Sequence, residues 1–107
     1  MIKLIIQYPA AGGTFFDFGY YTREHIPMAE RLLGEYGFLG YDVNRCTTTV
    51  RGEDPEFLCI TALRFNSLEE LQQGMREHAA ELGADFAKYT DITPVATVCE
   101  TVASSSD

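Results

Sequence analysis

An α+β fold with a four-stranded antiparallel sheet, in the order βαββαβ, is predicted by three features of this sequence. Four short runs rich in β-branched and aromatic residues are set apart by Gly and Pro breaks. Two stretches carry apolar residues at spacings of three and four. One of these stretches follows the first run and the other follows the third.

Ile2 to Tyr8 is short, β-branched and closed by Pro9 and the Gly12-Gly13 pair, so it reads as strand one followed by a flexible loop. From Asp17, a good N-cap, the residues Phe18, Tyr21, His25, Met28 and Leu32 mark one helical face, and helix one runs to about Leu33. Its Pro27 lacks an amide proton and crowds the carbonyl four residues back, which predicts a kink or a split near His25. Gly34, Gly37 and Gly40 punctuate the exit. The Thr- and Val-rich run from about Tyr41 to Val50 reads as strand two. After the charged turn Arg51 to Pro55, Phe57 to Phe65 is apolar on both faces except at Thr61 and Arg64, as suits a central strand. Ser67 followed by Glu70 is a capping box, and Leu68, Leu71, Met75, Ala79 and Leu82 form the stripe of helix two, ending at Gly83. A compact connection, Ala84 to Thr93, leads to strand four, Val95 to Val102.

This order is the ferredoxin-like pattern, in which right-handed crossovers set strand one beside strand three and put both helices on one face. The other face then carries a share of residues such as Ile5, Leu58, Ile60, Ala62 and Val95, or of their neighbours if the phase is shifted by one. At roughly 1.5–3 kcal/mol per buried large apolar side chain, leaving about four of them wet forfeits on the order of 10 kcal/mol, comparable to a whole domain's stability. A two-fold association covers that face with one self-complementary patch, so a homodimer is expected.

The chain has 107 residues, 46% apolar and 22% charged, which fits one domain, residues 1–103, with a flexible tail at 104–107. Its net charge of −8 repels phosphate backbones and anionic lipid surfaces, so neither nucleic acid nor membrane is an expected partner. Cys46, Cys59 and Cys99 are odd in number and lie in strand-like runs, which suits small buried hydrophobes in a reducing compartment. The first apolar run is too short for a secretory leader, no stretch nears membrane-spanning length, and the expected location is cytoplasmic.

Three segments together resemble the EthD family: Ile2-Lys-Leu-Ile-Ile-Gln-Tyr-Pro9, then Tyr20-Tyr21 ahead of His25-Ile26-Pro27, and Tyr89-Thr-Asp-Ile-Thr-Pro94-Val95. The likeness spans about residues 2 to 102, whereas the loop Ala10 to Thr14 and the tail after Val102 match nothing in the family pattern. The resemblance implies a dimeric α/β barrel, in which two sheets pack through their helix-free sides. It also implies a link to the degradation of ethyl tert-butyl ether. Relatives of this architecture include lactone isomerases, small cofactor-free monooxygenases and polyketide dehydratases, among which architecture alone does not choose.

His25 is the leading candidate for chemistry, because an imidazole near pH 7 can take a proton from carbon next to a carbonyl. The resemblance adds that isomerase relatives use a histidine of this helix. The alternative is a core histidine bonded to a backbone carbonyl freed by Pro27. Tyr41, on strand two, is the second catalytic candidate, as donor to an enolate-like oxygen, against the reading of a cross-strand aromatic with a solvated hydroxyl. His78, beside the stripe of helix two, either joins the site or favours the helix C-terminus as a cation. Tyr8 and Tyr21 are expected with His78 as substrate-binding residues. Tyr8, Phe15, Phe16 and Phe18 either line a cavity mouth or seal the end of the core.

No H-x-x-x-H or C-x-x-C spacing supports a metal site, and Gly12-Gly13 lacks the rest of a phosphate loop. The tryptophan on which haem-degrading relatives depend is missing. The expected function is cofactor-free proton transfer, by isomerisation, dehydration or cyclisation of a small apolar carbonyl compound. The alternatives are a non-catalytic ligand-binding accessory to a partner monooxygenase, and cofactor-free monooxygenation.

Overall fold

The computed structural model describes residues 1–105. Its strands are β1 (Ile2–Pro9), β2 (Phe38–Arg45), β3 (Phe57–Phe65) and β4 (Val95–Glu100), paired antiparallel in the order β2-β3-β1-β4. Between β1 and β2 a continuous helical stretch comprises α1 (Phe18–Tyr20), a π turn (Tyr21–His25) and α2 (Ile26–Leu33). Helix α3 (Leu68–Ala84) follows β3, and a short 3₁₀ turn (Phe86–Lys88) precedes β4. The fold is the expected α+β ferredoxin-like one, with β1 beside β3. Of the expected tail, residues 106 and 107 lie outside the described residues.

Register decides which side chains meet the helices. Ile5 lies opposite Ala62, and Gln7 opposite Ile60 and Val95, so these point away from the helices, as expected. Leu4, Tyr8, Cys59, Leu63 and Phe65 point toward them and are buried. Two packed clusters result. One is mainly aliphatic, around Leu4, Leu33, Leu63 and Leu71 with Phe65. The other is aromatic, around Tyr8, Tyr21, Tyr89 and Ile92.

Three boundaries differ from expectation. Strand two runs over Phe38–Arg45 rather than 41 to 50. Gly37, at φ 71°, reverses the chain directly after the helix and lets pairing begin at once. The threonines that read as strand instead bond a turn: Thr48 Oγ1 and the Thr49 amide donate to the Glu53 carbonyl, and Thr49 Oγ1 accepts from the Glu53 amide. Strand four ends at Glu100, and the Thr101 amide then donates to the Met1 carbonyl. The predicted break in helix one takes the form of the π turn, whose extra width gives room to the Pro27 ring.

The Ser67 cap forms, its hydroxyl accepting from the Glu70 amide and donating to the Glu70 carboxylate. The cysteines are free, and only Cys59 is buried. Cys99, opposite Lys3 on the edge strand β4, lies on the helix-free face and is exposed. Among the described residues no helix is long and apolar enough to cross a membrane.

Candidate functional site

The site begins with the Asp17 side chain, which accepts from the Tyr20 amide at 3.0 Å and starts the helix. The chain then enters the π turn, closed by the Ile26 amide donating to the Tyr21 carbonyl. Tyr21 and His25 face inward together, their rings stacked 5.6 Å apart. The 3₁₀ turn after α3 brings up the opposing wall: Asp85 precedes it, and Tyr89 follows it with its ring centre 4.6 Å from that of His25.

His25 Nδ1 lies 2.9 Å from Asp85 Oδ2. A carboxylate accepts only, so Nδ1 carries a proton and donates it, and in the neutral ring the lone pair is then on Nε2. Nε2 has no hydrogen-bond partner among the described residues, yet no fully enclosed side-chain nitrogen or oxygen lacks one, so Nε2 is not sealed off, and His25 lines the adjoining cavity. Asp85 Oδ1 accepts from the Tyr20 hydroxyl at 2.7 Å and lies 3.5 Å from Lys88 Nζ. Burial pushes the Asp85 carboxyl up. The hydrogen bonds from Tyr20 and His25 and the positive charge of His25, with a smaller contribution from Lys88, outweigh it and hold the group below the usual carboxylate range. The same bond to Asp85, more than burial, pushes the Tyr20 hydroxyl up to about 12.

A cavity of about 210 Å³ lies between sheet and helices. Leu4, Ile6 and Leu63 form its sheet side, and Met75, Ala79 and Leu82 of α3 lie across from them. Tyr8, Tyr21, His25 and Tyr89 line it as well. Tyr8 and Tyr89 share a hydrogen bond of 2.9 Å between their hydroxyls, and Tyr21 shares one of 2.7 Å with Thr61 Oγ1. Burial raises all three phenols well above their ordinary value, so they stay protonated. Burial likewise pushes the Cys59 thiol up to about 11, which removes it as a thiolate nucleophile near neutrality. No Lys or Arg lines the cavity. Among the described residues no three His, Cys, Asp or Glu side chains group to hold a metal ion.

Of the five expected site residues, the structure brings Tyr8, Tyr21 and His25 together and leaves out Tyr41 and His78. Tyr41 lies opposite Leu63 on β2 and is 37% exposed. It misses the cavity because β2 is one edge of the sheet and the cavity lies over β1, β3 and β4. His78 turns toward Tyr36 and pairs with Glu81 at 3.0 Å, one residue away from the lining position Ala79. The partner of His25 is a carboxylate and not a freed backbone carbonyl. Phe16 and Phe18 pack on the aromatic cluster, and Phe15 is exposed. Asp85, Tyr20 and Tyr89 were missing from the sequence reading of the site. Tyr20 and Tyr89 stood inside the segments that carry the family likeness, whereas Asp85 had no local signal.

The description "EthD domain" belongs to the family model that matches residues 16–93. An EthD-like protein from Ralstonia eutropha JMP134 superposes with a TM-score of 0.89 at 35% identity, over 98% of this chain and 95% of that one. An ethyl tert-butyl ether degradation (EthD) family protein from Bacillus halodurans C-125 gives 0.74 at 23% identity, over 95% and 99%. SnoaB, a cofactor-independent oxygenase from Streptomyces nogalater, gives 0.69 at 5% identity, over 99% and 97%, a likeness of fold alone. No curated protein matches the chain.

Proposed function

The chain belongs to the EthD domain family, and from that premise we propose that it is a cofactor-free proton-transfer enzyme acting on a small, largely apolar carbonyl compound. The observation that carries this reading is the His25–Asp85 pair at 2.9 Å, with His25 lining an apolar cavity and its second imidazole nitrogen not sealed off. Asp85 fixes the tautomer in which Nε2 is the base, and it stabilises the imidazolium once the proton has moved. A carbon acid beside a carbonyl gives its proton to Nε2 and becomes an enolate. Return of the proton at another carbon is isomerisation; where the neighbouring carbon carries a hydroxyl, its C–O bond breaks as the C=C bond forms and the oxygen takes the proton back from Nε2 to leave as water, which is dehydration. The mostly apolar lining favours a substrate that is itself largely apolar.

We place the protein in small-molecule metabolism as a homodimer, because a second copy covers the helix-free sheet face. The test needs no known substrate. One-ring ketones, enones and lactones are incubated with the protein in D₂O, and deuterium uptake beside the carbonyl is followed by NMR. The parent protein accelerates uptake, and His25→Ala reduces it by about 10²–10⁴-fold, the usual contribution of a positioned base. Equal rates for parent and variant across the panel reject the role given to His25.

One observation favours a second reading. A base that ionises a carbon acid also ionises an electron-rich phenol, the first step of oxygenation without a cofactor. Oxygen consumption with a quinol panel separates the two. A third reading, a carrier for a partner monooxygenase, predicts that His25→Gln leaves ligand affinity unchanged.

A further inference from the structure

The proton-transfer reading uses His25 and Asp85 but gives no task to the buried tyrosine hydroxyls. Tyr8, Tyr21 and Tyr89 are 2%, 1% and 0% exposed. Phenylalanine would fill the same space with no polar atom to satisfy. Each hydroxyl has one proton to donate. Tyr8 also meets the Tyr21 hydroxyl, which bonds Thr61, so the hydroxyls run in a chain from Thr61 through Tyr21 and Tyr8 to Tyr89; with each bond donated toward Tyr89, the Tyr89 hydroxyl at the end of the chain keeps its proton for a ligand. Both residues line the cavity, and the Tyr89 ring packs directly on His25. One spare donor and one spare base therefore sit at the same end of an apolar space.

We propose that the Tyr8–Tyr89 hydroxyl pair and His25 together bind an ionisable hydroxyl, and that the ligand is a neutral one-ring phenol or stabilised enol held in the site as its oxyanion. This rests on the reading of His25 as the base. The ligand O–H bond breaks, its electron pair stays on oxygen, and the proton forms the Nε2–H bond, while Nδ1–H continues to donate to Asp85. The spare tyrosine proton then meets the new oxyanion. Burial keeps the tyrosines from ionising in place of the ligand.

Two observations narrow the class. The cavity of about 210 Å³ exceeds the roughly 150 Å³ that admits benzene and falls below the roughly 300 Å³ at which drug-sized pockets begin, which suits one ring. A ligand arriving as a carboxylate would find no Lys or Arg in the lining and a chain of net charge −8. A ligand that arrives neutral and gives up its proton inside the site adds no net charge.

The test uses 4-nitrophenol, whose ionisation is visible as its phenolate absorption band, and 4-nitrotoluene, which matches its shape without the hydroxyl. Binding is measured at a pH where free 4-nitrophenol is mostly un-ionised. The parent protein is expected to bind 4-nitrophenol about tenfold or more tightly than 4-nitrotoluene, and to raise the phenolate band on binding. Tyr89→Phe and, separately, Tyr8→Phe shrink that preference while 4-nitrotoluene affinity holds, and His25→Gln abolishes the band. Equal affinity of the parent for the two probes, binding of neither, or a full preference in both tyrosine variants overturns the tyrosine proposal. A band still lost in His25→Gln then leaves the base reading standing. A band that persists in His25→Gln overturns the base reading instead.

Discussion

The two oxygens of Asp85 face different donors, the Tyr20 hydroxyl at 2.7 Å and the His25 ring at 2.9 Å, so one carboxylate ties the helical wall of the site to the loop that follows α3. Asp85→Asn keeps the shape but offers an amide that can donate to Nδ1, which moves the imidazole proton to Nε2 and blocks the base. Deuterium uptake should fall by about 10²–10⁴-fold with the far-ultraviolet circular dichroism unchanged. A variant as fast as the parent would show that the tautomer is set elsewhere. The same residue predicts a dependence of stability on pH. Its folded carboxyl sits below the ordinary value, so as pH falls the unfolded chain takes up the proton first. The stability it contributes is full above about 3.9, the unfolded value, and is lost as pH drops through the lower folded one. Asp91, which accepts from the Thr14 amide and hydroxyl and the Phe15 amide, acts in the same direction. Urea midpoints measured down through this range should fall for the parent and fall less steeply for Asp85→Asn. Equal slopes would mean that the carboxyl gains nothing from its partners. His25 was legible in the sequence because Pro27 and the aromatic spacing mark its turn. Asp85 was not, since its partnership spans sixty residues and leaves no local pattern.

Among the elements, α3 matters to the site through what it leaves unfilled. Its stripe residues Met75, Ala79 and Leu82 line the cavity, and only Leu71 and Gly74 are buried. Gly74 sets how closely the helix approaches α2: a Cβ there would lie 3.0 Å from both Leu33 Cδ2 and Tyr36 Cβ. Leu33 is fully buried and cannot yield. Gly74→Ala gains about 1 kcal/mol of helix propensity and costs about 1–3 kcal/mol of overpacking, so the net expectation is a loss of about 1 kcal/mol. That corresponds to a thermal midpoint lower by roughly 4–8 °C. A variant as stable as the parent would mean that the two helices can move apart freely. The helices and strands themselves were readable where one rule governs: the capping box at Ser67, the period of α3, the phase of β3. They were misread where two rules compete. At residues 46 to 50 β-propensity lost to threonine hydroxyls that bond a turn, whereas near Pro27 the expected break is present as a wide turn. The stripe of α3 was correctly found, but nothing local distinguishes a helix face that fills a core from one that borders a cavity.

For the molecule as a whole, the decisive fact is that both helices lie on one side of the sheet. The other side carries Ile5, Leu58, Ile60 and Ala62 only partly buried, and Val95 half exposed, with the Arg64–Asp42 pair toward the β2 edge. An apolar strip edged by charge is the profile of an interface with a second copy, since one patch then meets itself across a two-fold axis. β1 runs through the middle of this sheet and carries Tyr8 on its opposite side, so covering the strip also steadies a wall of the cavity. Sedimentation at micromolar loading should report twice the chain mass of 12.0 kDa. Ile60 lies opposite Gln7 and Asn44, near the centre of the strip. Ile60→Asp would bury a carboxylate against its own copy and should weaken association by about tenfold or more. The parent's unfolding midpoint should rise with protein concentration, as it must when association stabilises the fold, and that dependence should fade in the variant. A parent protein that sediments as one stable species of chain mass, with a midpoint indifferent to concentration, would mean that the exposed strip costs the monomer little and that Tyr8 needs no second subunit to hold its place.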